Sequence, residues 1–133
     1  MCEEISHAQW LLRGIPEREL DSATHEITSF SFNSAELSVR TLSRESVQAL
    51  LASGHYVWLA AVNVAYCRSI GLEVRPDPLP EIPDHALILM SSGRSSRATK
   101  LKRHAVRVPI TGSPEDAYER LVAAIDATVT LER

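Results

Sequence analysis

The most distinctive text in this sequence is the run D-P-L-P-E-I-P-D-H-A-L-I-L from Asp77 to Leu89. Pro76, Pro78, Pro80 and Pro83 exclude helix and sheet ladder alike and call for an extended, polyproline-like crossing. A stiff segment of this kind can fix Asp77, Glu81, Asp84 and His85 around a cleft. An Asp-His neighbourhood supplies a proton acceptor whose tautomer is set by the carboxylate. The same composition also serves plain connection, since proline limits the freedom of the unfolded chain and carries the backbone across a surface. His85 likewise reads as a general base, a phosphate contact or a ligand on one account, and as a hydrogen-bonded residue at a strand edge on the other.

A second run, S-S-G-R-S-S-R-A-T-K-L-K-R-H, gathers Arg94, Arg97, Lys100, Lys102 and Arg103; with Arg107, residues 94–107 hold six bases and no acid. Gly93 and the serines let backbone N–H groups converge, and a following helix would aim its N-terminus at an anion. These five side chains are the expected binding residues, for a phosphate-bearing ligand or an acidic protein surface. The alternative is a solvated loop and a basic helix face. Nucleic acid is the less favoured partner, because the chain has seven aromatics and no interleaving of rings with bases.

Other chemistry finds little support. No G-x-S-x-G is present, Cys67 sits in an apolar stretch as an inert core thiol, and no second His or Cys stands at metal-ligand spacing from His85. No metal site and no cofactor is expected, and neither a Walker sequence nor a strand-GxGxxG-helix unit occurs.

The elements that must position these residues follow from pattern. Ser43 caps a helix bearing Val47, Leu50 and Leu51 that Gly54 ends. Ser113, Pro114, Glu115 and Asp116 open an amphipathic C-terminal helix with Tyr118, Leu121, Val122, Ile125 and Val129 on one face. Residues 26–33 and 36–42 alternate as a hairpin or two adjacent strands, with Ile27, Phe30 or Phe32, Leu37 and Val39 inward. Residues 56–70 fit a buried helix, or a strand over 56–60 followed by a shorter helix. Pro16 opens a short helix. His85–Met90 reads as a strand buried on both faces, residues 97–104 as a short basic helix and residues 105–110 as a strand. The expectation is a single α+β domain over residues 1–133, with a small mixed sheet of four or five short strands.

Composition is that of an ordinary globular chain, with 44% hydrophobic and 23% charged residues and a formal net charge of −3. So mild a charge does not drive the whole molecule onto nucleic acid or an anionic membrane. No basic-plus-apolar leader opens the sequence and no apolar run reaches bilayer length, so a cytoplasmic location is expected. The two cysteines, Cys2 and Cys67, give no framework of paired spacings and no C-x-x-C motif, so no structural disulfide is expected.

From Leu11-Leu12-Arg13 through Ser-Phe-Ser-Phe and Leu-Ser-Val to Asp77-Pro78-Leu79-Pro80-Glu81-Ile82-Pro83-Asp84-His85-Ala86-Leu87-Ile88, the chain resembles a set of small bacterial proteins to which no activity is attached. The likeness covers roughly residues 11 to 108 and implies a bacterial, intracellular protein. The chain is also similar, more faintly, to ADP-ribosyltransferase folds, in which an Arg or His on an early strand and a Ser-bearing strand frame a nicotinamide nucleotide. That likeness would give those places to Arg13 and Thr28-Ser29, with His85 where such enzymes carry a glutamate.

Two function classes result. One is a non-enzymatic binding or accessory component, of the kind found in multi-gene stress or phage-defence systems, that meets its partner through residues 94–107. The other is a small enzyme acting on a nucleotide or a protein, with His85 and Arg13 at its site. The want of a nucleophile, metal set or cofactor motif favours the first.

Overall fold

The computed structural model describes residues 5–6, 8–24, 26–90 and 93–131, with Ser29, Phe30, Arg94 and residues 129–131 described by their backbone alone. In chain order the elements are β1 (Trp10–Ile15), β2 (Glu36–Thr41), α1 (Arg44–Ser53), β3 (Trp58–Asn63), α2 (Val64–Ser69), β4 (Glu73–Pro76), β5 (His85–Leu89), α3 (Arg94–His104), β6 (Val106–Pro109) and α4 (Pro114–Leu131). Two 3-10 turns, Glu17–Glu19 and Ser29–Phe32, link β1 to β2. The class is α+β, built on one sheet of six strands in the order β4-β5-β2-β1-β3-β6. Every pairing is antiparallel.

The sheet is covered unequally on its two faces. Leu11, Ile15, Leu37, Val39, Ala60, Val62, Ala86 and Ile88 face Cys67 of α2, Ala98 and Leu101 of α3, and Phe32. On the opposite face, Leu12, Leu59, Ala61, Val106 and Val108 pack under Val47 of α1 and Ala117, Leu121 and Ile125 of α4. This second cover spans β1, β3 and β6 only. Arg40 is registered opposite Leu12, and His85 opposite Arg40, so both belong to that face but lie beyond its cover.

The central junction is short. β1 and β3 pair over six positions, from Trp10↔Asn63 to Ile15↔Trp58, whereas the β1–β2 register holds two, Leu11↔Thr41 and Leu12↔Arg40. Beyond them the strands diverge, and the Arg13 side chain enters the fork. Its Nε donates to the Ser31 carbonyl at 2.8 Å and its Nη1 to the Ser38 carbonyl at 3.0 Å. The guanidinium thus satisfies a β2 carbonyl that the ladder has abandoned.

Several sequence expectations change. Six strands replace four or five, and the sheet is wholly antiparallel where a mixed one was expected. β1 is a strand that was not expected, since its Trp-Leu-Leu-Arg-Gly-Ile gives no clean alternation, with Leu11 and Leu12 buried on opposite faces. Residues 26–33 are no strand: an isolated bridge, Leu20↔Ile27, and a 3-10 turn take their place, though Ile27 and Phe32 are buried as expected. The apolar stretch from Tyr56 takes the second of its two expected forms, strand then helix, with the strand over Trp58–Asn63 in place of 56–60. Leu59, Ala60, Ala61 and Val62 are all buried because β3 is covered on both faces, which hides its period of two. Asn63 makes the switch, its side chain accepting the Tyr66 N–H at 3.2 Å to cap α2. β5 is buried on one face and partly open on the other, not buried on both. β4 admits Pro76 at its end, opposite Ala86 on a strand that lies at the sheet's edge.

Candidate functional site

The uncovered half of the sheet holds the site. After β4 the chain makes the Pro-rich crossing, which is folded back and not simply extended: Leu79 and Ile82 exchange backbone hydrogen bonds at 3.0 and 3.1 Å. Glu81 sits exposed in this turn, away from the cleft. The crossing is tied down at both ends, by Asp77 N–H to the His85 carbonyl at 2.9 Å and by Thr41 N–H to the Asp84 carbonyl at 3.0 Å. It therefore presents Asp77 and Asp84 to the neighbouring strands at fixed positions.

Each aspartate holds one basic side chain. Arg40 Nε donates to Asp84 Oδ1 at 2.8 Å, with the two side chains 16% and 21% exposed. That contact uses one edge of the guanidinium, and its terminal nitrogens have no protein partner among the described residues. His85 Nδ1 lies 3.0 Å from both the backbone oxygen and Oδ2 of Asp77. Both neighbours are acceptors, so Nδ1 carries the hydrogen, and Nε2 is the ring nitrogen left for the two hollows that His85 lines. The imidazole itself is only 11% exposed.

Two adjoining hollows share Arg40 and His85 in their walls. The larger, of about 560 Å³, runs along Gln9, Thr41, Glu45, Pro78 and Pro83. The smaller, of about 370 Å³, runs over β1 and is bounded by Arg13, Arg18, Glu19, Ser38 and Tyr56. Gly14 shapes it: the Tyr56 ring lies so close over β1 that a β-carbon at Gly14 would stand 2.6 Å from Tyr56 Cγ. Arg13, Arg18 and Arg40 outnumber Glu19 here, so this hollow is the cationic end. Burial lowers the Arg13 pKa, opposed by the charges of Glu19 and Tyr56. Glu19 Oε1 lies 3.9 Å from Arg13 Nη2 and is buried without a hydrogen bond.

Arg13 and His85, paired by sequence reading as catalytic candidates, thus share one hollow, but the Arg13 guanidinium is engaged by main-chain carbonyls. Thr28 donates its hydroxyl to the Glu19 carbonyl at 3.0 Å and lies in no strand, while the Ser29 side chain is outside the described residues. The basic segment lies on the other face of the sheet, where α3 packs through Ala98 and Leu101. Its cations diverge. Arg97 lies against Gly71, Lys100 and Arg103 point to solvent, and Lys102 lines a separate hollow with Glu26, Trp58 and Arg107. The Arg94 side chain and Ser91-Ser92 fall outside the described residues, and with them the expected anion loop.

Sequence reading missed Arg40, Tyr56 and Gly14. The alternation of Glu-Leu-Ser-Val-Arg-Thr does place Arg40 opposite the buried Leu37 and Val39, but the residue across from it is set by long-range register. It also missed the ring stack of Tyr66 on His104 (3.9 Å) and His104 on Trp10 (5.7 Å), where Asn63 N–H donates to His104 Nε2 at 3.2 Å. Among the described residues no group of three His, Cys, Asp or Glu side chains is placed to hold a metal, and no helix is long and apolar enough to cross a membrane. No family model, curated protein or solved structure matches this chain.

Proposed function

We propose that this chain is a binding protein for a small phosphate-bearing molecule, seated where the two hollows meet, with its anionic group on Arg40 and His85 and facing Arg18. The observation that carries this reading is the half-used guanidinium of Arg40. It is aimed by Asp84 through Nε, largely desolvated, and keeps its terminal donors for a ligand. An arginine fixed in this way loses little side-chain freedom on binding. The remainder of the ligand would lie along the larger hollow beside Pro78 and Pro83.

A second reading rests on α3, whose eleven residues contain no acid and expose Lys100 and Arg103. In that reading an acidic protein surface docks on the far side of the sheet. Titration calorimetry with pyrophosphate and nucleoside monophosphates separates the two. Arg40→Gln should weaken binding at least tenfold, equivalent to ~1.4 kcal/mol, while Lys100→Glu with Arg103→Glu leaves it unchanged. The opposite pattern would move the site to α3.

A further inference from the structure

We infer that the cleft takes up its anion together with one proton, and is therefore built for a phosphomonoester in preference to a phosphodiester. The inference rests on the ligand seat proposed above. Because Nδ1 of His85 meets only acceptors, the Asp77 carbonyl and carboxylate at 3.0 Å each, its hydrogen stays on Nδ1 in the neutral ring. Nε2 then offers a lone pair to the cleft. A fully ionised phosphate oxygen also offers only lone pairs, so the two cannot meet without a hydrogen between them.

Two sources supply that hydrogen near neutrality. A free imidazole titrates around pH 6.5 and the second phosphate proton around pH 6. A phosphomonoester brings such a proton or receives one readily, whereas a diester has no second ionisation and must wait for the imidazolium. Charged groups of both signs line the hollows that the ring shares. Asp77 lies against the ring, and the hollows beside it are lined by Asp84 from the crossing, Glu45 from α1 and Glu19 from the first 3-10 turn, and by Arg40 from β2, Arg13 from β1 and Arg18.

The test uses methyl phosphate and dimethyl phosphate with the full chain, by calorimetry between about pH 7 and 9 in buffers of different ionisation heat. Wild-type protein should take up close to one proton per methyl phosphate bound, its affinity falling roughly tenfold per pH unit, and should bind dimethyl phosphate at least tenfold more weakly at pH 7. His85→Gln, whose amide donates without titrating, should bind methyl phosphate with an affinity flat in pH. Asp77→Asn keeps the ring but frees its tautomer, and should cut the proton uptake to less than half. Binding that is independent of pH in the wild type, or equal for both esters, overturns the proton-coupled inference while the seat stands. Failure of the wild type to bind either ester at any pH removes the seat itself and the inference with it.

Discussion

The crossing between β4 and β5 and the basic helix α3 carry the two densest groups of ionisable residues picked out in the sequence, and the fold uses them in contrary ways. In the crossing, Asp77 and Asp84 each reach a basic side chain on an adjacent strand position, so four charged or titratable groups converge on one cleft. On α3 the helical period turns successive cations through different directions, toward Gly71, toward solvent and toward Trp58. Nearness in sequence is therefore a poor guide to nearness in space on a helix. Strand register does the opposite, bringing Arg40 and His85 side by side across forty-four intervening positions.

The comparison is broken most severely if α3 has no structural task. Leu101 is wholly buried beneath α3, and Leu121 beneath α4 on the other face. Leu101→Ala and Leu121→Ala should each destabilise the fold by about 2 to 4 kcal/mol in chemical denaturation. A loss at Leu101 below about 0.5 kcal/mol would detach α3 from the core. Next in size, Arg13→Met strips the Ser31 and Ser38 carbonyls of their donor; Ser31 is buried and Ser38 exposed, so the cost is about 1 to 3 kcal/mol for the one acceptor left buried. Equal stability would show that water takes over the fork.

A smaller effect tests the face beneath α2 and α3 through Cys67. Burial pushes its thiol up from 9.0 to about 12. Because the raised pKa disfavours the thiolate in the fold, its contribution to stability is complete below pH 9 and is lost as pH rises toward 12. Cys67→Ala should flatten that alkaline decline in thermal melts, and the native thiol should resist alkylation at pH 8. The least effect belongs to Lys100→Glu with Arg103→Glu, which should leave the melting curve where it was. A marked destabilisation would mean that α3 needs its outward charges for folding.

What the sequence discloses follows the range of the interactions involved. Caps are local, so Ser43, Gly54 and Ser113 marked α1 and α4 correctly. The crossing was legible as a place where Asp77, Glu81, Asp84 and His85 could gather, because proline stiffness is also local, and all but Glu81 do so. The pairing of Arg40 with Asp84 was not, since it depends on which strand lies beside β5. β1 was hidden, and β3 was left open between helix and strand, for another reason: strands covered on both faces lose the alternation by which strands are recognised.

The short β1–β2 register makes the sheet two three-stranded leaves, β4-β5-β2 and β1-β3-β6, joined along a spine of two residue pairs and one arginine. Amides of that spine should exchange with solvent sooner than those between β1 and β3, as a book opens first along its binding. The cleft straddles the spine, with His85 and Arg40 on one leaf and Gly14 and Arg13 on the other. A molecule held there touches both leaves at once, so its arrival would be recorded as slower exchange along the binding, out to Leu11, which lines neither hollow.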